Sequence, residues 1–490
     1  MGPGTAQADV GDAGAPLRIA LLTYRGHPWV GGQGIYVRHL ARELSALGHS
    51  VEVFSGPPYP HLDDGIKLTE LPSLDLYRMP DPFRVPKLAE FRSPIDVLEY
   101  AITATASFAE PLTFSLRAFE ALRSRLDDFD LVHDNQCLGY GIDWLRRSGM
   151  PILGTIHHPI TVDRRLEIAH APTRGKRLAL RRFYAFTRMQ NRVARRLDRI
   201  VTVSASSFDD IVTDLRVGPG RLHIVTVGVD PDQFRPLTDV APVPGRLMTT
   251  ASADVAMKGL AYLLEALAKL RTENPTLHLV VIGRPKDDSA ASRLIEGLGL
   301  TGSVEFVSGV PDERIVELYN EAELAVVPSL YEGFSLPAIE AMSCGVPLVA
   351  TTGGALPEVT GADGETCLQV PPGDSEALAA RIGWAFAQPD LRETVGAAGR
   401  ARVQANYSWA ATARLTVEQY RALLADAPVR PRRTVGMRRL TRQIKPWPKR
   451  PVSPHPTGTQ TKSGRQSEEH MASQPESSPF DTGSDSFAGR

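Results

Sequence analysis

A chain of 490 residues with 42% apolar and 23% charged side chains has material for two or three soluble domains. Its formal net charge of −1 excludes nucleic-acid binding through overall charge. Three scattered cysteines (Cys137, Cys344, Cys367) without CxxC spacing exclude a disulfide framework and a zinc finger, and fit a reducing compartment.

Residues 1–16 are small, polar and acidic, so neither a secretory leader nor an ordered element is expected there. No apolar run approaches the ~18 residues a spanning helix needs; the stretch 97–116 is broken by Glu99, Glu110 and Pro111. The expected location is cytoplasmic, with any membrane contact peripheral, at the inner face of the cell membrane.

Residues 17–24 (LRIALLTY) read as a buried strand, followed by Gly31, Gly32 and Gly34 and a helix over 35–47 that stops at Gly48. Further strands are predicted at 51–54, 131–133, 152–157 and 200–204. A proline-rich linker follows at 236–244 (PLTDVAPVP). The alternation then resumes: helix 259–271, strand 277–283, helix 314–319, strand 324–327, helix 336–342, strand 348–350 and helix 376–387. Strands alternating with helices imply parallel sheets covered on both faces. We read two doubly wound, Rossmann-like α/β domains, 17–238 and 245–403, facing a central cleft that holds the ligand. From about 451 the chain is poor in large apolar residues and is expected to be disordered.

The most informative stretch is 328–340, PSLYEGFSLPAIE. A strand runs through a short loop into a helix, with Ser335 as N-cap and Pro337 in the first turn. Gly333 permits close backbone approach to a ligand. The unpaired amides of Phe334, Ser335 and Leu336, with the helix dipole, favour an anion such as a diphosphate. Glu332 and Glu340 bracket this turn; carboxylates accept hydrogen bonds from sugar and ribose hydroxyls, which places Glu332 toward a sugar and Glu340 toward a ribose. The bland alternative is two solvated glutamates.

The E-x7-E pair Glu332/Glu340 within EGFSLPAIEAMSCGVPLVAT, followed by GGALPEV at 353–359, resembles the donor site of family-4 retaining glycosyltransferases, which have the GT-B fold. The resemblance covers about residues 17–424. It implies two facing Rossmann-like domains, with helices at 404–427 returning to the N-terminal domain. It also implies a nucleotide-sugar donor (UDP- or GDP-linked) and a hydroxyl acceptor that is a sugar, a small molecule or a lipid-linked or cell-envelope glycoconjugate. On the same basis Glu332, His157 and Lys258 are the expected catalytic residues. Donor binding falls to Gly32, Gly34, Lys258, Gly333, Phe334, Ser335, Leu336 and Glu340. No cofactor and no essential metal are expected.

Lys258 precedes an apolar helix, where it can neutralise diphosphate charge. The family's usual Arg five residues earlier is here Ala253, and Arg284 is a substitute at a different position. Gly31, Gly32 and Gly34 resemble the family's GGxG loop and lack the G-x-G-x-x-G of a dinucleotide site. Thr155-Ile156-His157 matches its T-x-H, and Val203-Ser204 with Ser207 a further element at the domain edge. In the family, retention is ascribed to same-face attack with the leaving phosphate taking the acceptor proton, so no glycosidase-type carboxylate pair is required.

Residues 164–199 carry twelve Lys/Arg against Glu167 and Asp198, with Phe183, Tyr184 and Phe186 interleaved, and 430–450 carry nine without an acid. Either these are solvated faces or they contact anionic lipid at about 1 kcal/mol per side chain; nucleic acid is not expected. Two other readings keep the fold: a nucleotide-sugar epimerase or hydrolase, and a non-catalytic membrane-associated relative. An NAD(P)-dependent oxidoreductase is disfavoured by the missing glycine fingerprint.

Overall fold

The computed structural model describes residues 14–26, 32–78, 84–171, 173–250, 255–283 and 289–426. Gly31, Ala253, Arg284, the basic stretch 430–450 and the tail beyond it lie outside the described residues.

Two parallel sheets carry the fold. The first comprises β1 (Arg18–Thr23), β2 (Ser50–Ser55), β3 (Lys67–Glu70), β4 (Leu131–Asn135), β5 (Ile152–Ile156), β6 (Arg199–Thr202) and β7 (Leu222–Ile224), in spatial order β3-β2-β1-β4-β5-β6-β7. The second comprises β8 (Arg246–Thr250), β9 (His278–Ile282), β10 (Val304–Val307), β11 (Leu324–Val327), β12 (Leu348–Thr351) and β13 (Leu368–Val370), ordered β10-β9-β8-β11-β12-β13. Every pairing is parallel; β1 sits between β2 and β4 with Leu21 opposite Val53 and His133. The central strands are apolar because helices cover both faces: Ile19, Leu21, Leu22, Val53, Leu131 and Leu153 are wholly buried.

The strand order reverses between β1 and β4 in one sheet and between β8 and β11 in the other. In an open parallel sheet such a reversal is the place where a binding crevice forms, outside the carboxyl ends of the strands. The two crevices face each other because the chain returns: the helix Trp409–Asp426 packs on the helix Gly32–Ala46 of the first unit. Trp409 stacks on His39 with ring centroids 4.9 Å apart, and the Tyr420 hydroxyl lies 2.6 Å from His133 Nδ1. Both His133 and Tyr420 are fully buried, and burial lowers the His133 pKa to about 3, so this imidazole is neutral.

Two sequence expectations need revision. The glycines at 32 and 34 form the first turn of the helix Gly32–Ala46 instead of a loop ahead of a helix at 35. The aromatics within 164–199 belong to the interior: Tyr184 and Phe186 are buried in the core, and Phe183 packs against it. Several of the arginines there also pair with acids, Arg165 with Asp214, Arg196 with Asp143 and Arg199 with Asp426. The helix Arg174–Phe183 still presents a basic outer face with no buried residue. Among the described residues no helix is long and apolar enough to cross a membrane, and no group of three or more His, Cys, Asp or Glu is placed to hold a metal ion.

Candidate active site

In the second sheet the residues of interest follow β8 and β11, on either side of the strand reversal. After β8 the chain makes a short 3-10 turn, Ala256–Lys258, and Gly259 leaves it with φ +67°. A Cβ at Gly259 would lie 1.9 Å from the Pro328 carbonyl oxygen, so only glycine lets the Lys258 turn nest against the loop after β11. The Leu330 amide donates to the Met257 carbonyl at 2.8 Å and ties the two loops together.

This nesting brings Lys258 to Glu332. Lys258 Nζ donates to Glu332 Oε1 at 2.9 Å, and Ser329 Oγ donates to the same oxygen at 2.7 Å. Oε1 is therefore occupied and the carboxylate plane is fixed. The Glu332 backbone is fixed as well, since its carbonyl accepts from the Ala355 amide at 2.8 Å and the residue bridges to Gly354. A Cβ at Gly354 would meet Glu332 O at 2.3 Å, which accounts for the glycine pair at 353–354.

The helix Leu336–Ser343 begins immediately after. Ser335 Oγ accepts from the Ala338 amide at 3.4 Å, and Pro337 fills a first-turn position that needs no donor. Ser335 has φ +93° and ψ +88°, a conformation that costs an L-residue roughly 1–3 kcal/mol and concentrates at functional sites. Among the described residues, the amides of Phe334, Ser335 and Leu336 donate to no protein group. Unpaired amides at a helix start form a ready anion site. Phe334 is buried edge-on against Tyr407, 5.5 Å between centroids, which anchors the turn.

Glu340 lies within the same helix and accepts from the Tyr319 hydroxyl at 3.0 Å, while that hydroxyl is 3.2 Å from Thr250 Oγ1, at the carboxyl end of β8. Both glutamates thus flank the same strand reversal, Glu332 through Lys258 and Glu340 through Tyr319 and Thr250. Burial pushes the Glu340 carboxyl up to about 7, opposed by the Tyr319 hydrogen bond and reinforced by Asp312.

The first sheet supplies the facing wall. His157 directly follows β5, and its Nε2 is 2.8 Å from Asn135 Oδ1 at the end of β4. Its amide donates to Gln136 Oε1 at 2.7 Å, and the Tyr36 ring meets its imidazole edge-on at 4.7 Å. Burial, then His158, lowers its pKa to about 3, so His157 is a neutral hydrogen-bonding group. His158 is held 2.9 Å from Asp163; burial lowers its pKa, but Asp163 outweighs burial and the net direction is up. Gly32 opens its helix opposite Leu336: a Cβ there would be 4.0 Å from Leu336 Cδ1. Gly34 is buried inside that first turn. Gly333 abuts the end of β5, where an added Cβ would sit 3.0 Å from both His157 O and His158 Cβ. The structure therefore groups Lys258, Glu332, Gly333, Phe334, Ser335, Leu336 and Glu340 on one wall, with His157, Gly32 and Gly34 on the other.

Sequence reading missed Ser329, Tyr319, Asn135 and Gln136. Ser329 carries a faint signal, three residues before Glu332 in the same loop. The other three act through tertiary proximity; Gln136 reaches His157 from a backbone with φ +57°.

The family model Glycosyl transferases group 1 matches residues 242–402, and the model Glycosyltransferase Family 4 matches 30–233. The chain is 48% identical over 410 residues to MMP alpha-(1->4)-mannosyltransferase of Mycolicibacterium hassiacum, covering 84% of this chain and 99% of that one. It is 27% identical to D-inositol 3-phosphate glycosyltransferase of Streptomyces scabiei, covering 84% of this chain and 92% of that protein. Among solved structures it resembles sucrose-phosphate synthase from Thermosynechococcus elongatus, with TM-score 0.64 and 26% identity, covering 84% of this chain and 99% of that one. With both halves matched and a relative aligned over almost its whole length, this chain is a glycosyltransferase of the GT-B fold and belongs to family 4, the glycosyl transferases group 1.

Proposed function

We propose that this enzyme transfers an α-mannosyl residue from a nucleoside-diphosphate mannose to an acceptor hydroxyl, with retention and without a metal. The observation that carries the donor half is the turn at 333–336, whose unpaired amides adjoin Lys258 and Glu332. The sugar and the 4-hydroxyl as the acceptor position follow the name of the mannosyltransferase that is 48% identical.

In this reading the diphosphate sits on the amides of Phe334, Ser335 and Leu336, with Lys258 moving part of its charge from Glu332 to a phosphate oxygen. Glu332 then accepts from donor-sugar hydroxyls through its second oxygen. Glu340 accepts from the ribose. His157, neutral and held by Asn135, hydrogen-bonds at the reacting face. The acceptor oxygen bonds to the anomeric carbon as the bond to the β-phosphate oxygen breaks, and the acceptor proton passes to that departing oxygen. Catalysis is then mostly stabilisation of developing phosphate charge by fixed dipoles and one cation. The basic helix Arg174–Phe183 is the described surface best suited to an anionic membrane, should the acceptor be lipid-linked.

The test is a thermal-shift screen against nucleotide sugars, followed by transfer assays with GDP- and UDP-mannose in excess chelator. An α-linked product made under chelation is expected. A β-linked product overturns retention, loss of activity overturns metal independence, and conversion of donor without acceptor favours an epimerase or hydrolase.

A further inference from the structure

The turn that presents the amides is fastened to the opposite domain. Ser204 follows β6 and caps the helix Ala205–Asp210, its Oγ accepting from the Ser207 amide at 3.0 Å. The same hydroxyl donates its proton to the carbonyl oxygen of Gly333, 2.6 Å away. Ser207 Oγ lies 2.9 Å from the His157 carbonyl and 3.2 Å from the same Gly333 oxygen, bridging the two walls of the cleft. Both serines are fully buried. Glu358 reaches back from the second domain and accepts from the Ala205 amide with both carboxylate oxygens, at 3.0 and 2.9 Å. The Glu358 carbonyl is itself held by Arg402 at 2.7 Å and Tyr407 at 3.3 Å.

We propose that Ser204 and Ser207 are positioning residues for transfer: their hydroxyls clamp the Gly333 carbonyl so that the peptide it belongs to, and with it the Phe334 amide, takes its donor-binding orientation only when the two domains are together. A peptide unit is planar, so fixing its carbonyl oxygen fixes the direction of its N–H. The Gly333 carbonyl and the Phe334 amide belong to one such unit. The clamp therefore sets the orientation of the first diphosphate donor from across the interface, and Glu358 sets the helix that carries the serines. The tightness of the contact agrees with this: a Cβ on Gly333 would stand 3.2 Å from Ser207 Oγ. An open enzyme would hold the donor poorly oriented, which limits loss of the sugar to water before an acceptor arrives.

This inference rests on the donor site proposed above, and its test separates the two. Ser45→Cys and Glu273→Cys place spin labels on exposed positions of the two domains; the three native cysteines are buried, and a labelling blank without the two new cysteines controls for them. In the full chain without ligand, the labelled wild type is expected to give one narrow distance distribution. Ser204→Ala/Ser207→Ala should broaden it toward longer distances. With donor and acceptor, the double variant should lose roughly ten-fold or more in kcat with a smaller change in acceptor KM, as expected for two hydrogen bonds that orient and do not bind. Ser204→Thr alone keeps the hydroxyl and should match the wild type in both readouts, while Ser207→Ala alone leaves the helix cap in place and should give part of both effects without loss of folding. A folded double variant with wild-type distances and wild-type kcat overturns the clamp. A wild type that neither binds a nucleotide sugar nor transfers overturns the donor site, and the ligand-free distances still decide the clamp.

Discussion

The two crevices share one strand order and carry opposite chemistry. At the β8/β11 reversal stand a lysine, a fixed carboxylate and a strained serine turn with unpaired amides. Around the ends of β4 and β5 stand His157 and His133, both lowered to about 3 by burial, with Asn135 and Gln136, while the charged side chains nearby are paired, Arg25 with Glu110 and His158 with Asp163. Topology decides where a ligand can sit; the loops decide what kind. In the function proposed above, the first wall holds the donor's diphosphate and the second meets hydroxyls. The comparison breaks if the two walls matter equally to catalysis. Lys258→Ala and Glu332→Ala are each expected to lower kcat by about 10²–10³, the scale of losing a main electrostatic contact. His157→Ala, removing one neutral hydrogen-bonding group, is expected to cost about ten-fold. Steady-state kinetics showing equal losses on both walls would refute the division.

The next effect in size tests how the Lys258 turn is held against the loop after β11. Gly259→Ala forces a Cβ against the Pro328 carbonyl at a φ of +67°, so the Lys258 turn must leave the β11 loop. Donor affinity by calorimetry should fall at least ten-fold, by roughly 1.4 kcal/mol or more. Gly32→Ala, with 4.0 Å of room to Leu336 Cδ1, should change it little. A silent Gly259→Ala would mean Lys258 is not held by this contact.

A third experiment uses pH. Glu340 in the folded chain titrates near 7 because it is buried. Its raised pKa means that its contribution to stability is complete below the ordinary carboxylate range and is lost as pH rises through about 7. Binding has the opposite sign, because the ionised carboxylate is the better acceptor for ribose hydroxyls. Nucleoside-diphosphate affinity should therefore rise several-fold between pH 6 and 8, and Glu340→Gln should flatten that rise. His157 should contribute no step in this window. A rise of equal size in Glu340→Gln would assign the titration elsewhere.

The strand, loop and helix that carry residues 332–340 were the legible half. Glycine, serine, proline and glutamate at fixed spacing between a strand and a helix are local signals, and they located residues 332–340 and the neighbouring strands β11 and β12. Edge strands were invisible for the complementary reason: β3 (KLTE) is half-exposed and β7 has three residues, so neither shows a buried run. β8 (RLMTT) hid because its apolar core is only Leu247 and Met248. The neutral wall depends on partners that are distant in sequence. Asn135 and His157 are joined by adjacent strands, and Tyr319 reaches Glu340 across a strand and a loop. The aromatics at 183–186 misled for a related reason. Their charged neighbours are local, but the core they enter is assembled from elsewhere.

The smallest expected effect falls on the scaffold behind the neutral wall. The Tyr420 hydroxyl is 2.6 Å from His133 Nδ1, whose other nitrogen is 2.6 Å from Thr155 Oγ1, two residues before His157. Tyr420→Phe keeps the ring and its packing but leaves a ring nitrogen of a wholly buried histidine without its partner. An unsatisfied buried polar group costs about 1–3 kcal/mol, and no charge can compensate because His133 stays neutral. For a unit of this size each kcal/mol shifts Tm by roughly 2–4 °C. Differential scanning calorimetry should show a Tm lowered by a few degrees, with kcat at 25 °C within about two-fold of wild type, because Lys258, Glu332 and the 333–336 turn are untouched. A large kcat loss at unchanged Tm would mean that the Tyr420–His133–Thr155 chain acts on His157 during turnover, and the neutral wall would then have a catalytic share that its electrostatics do not suggest.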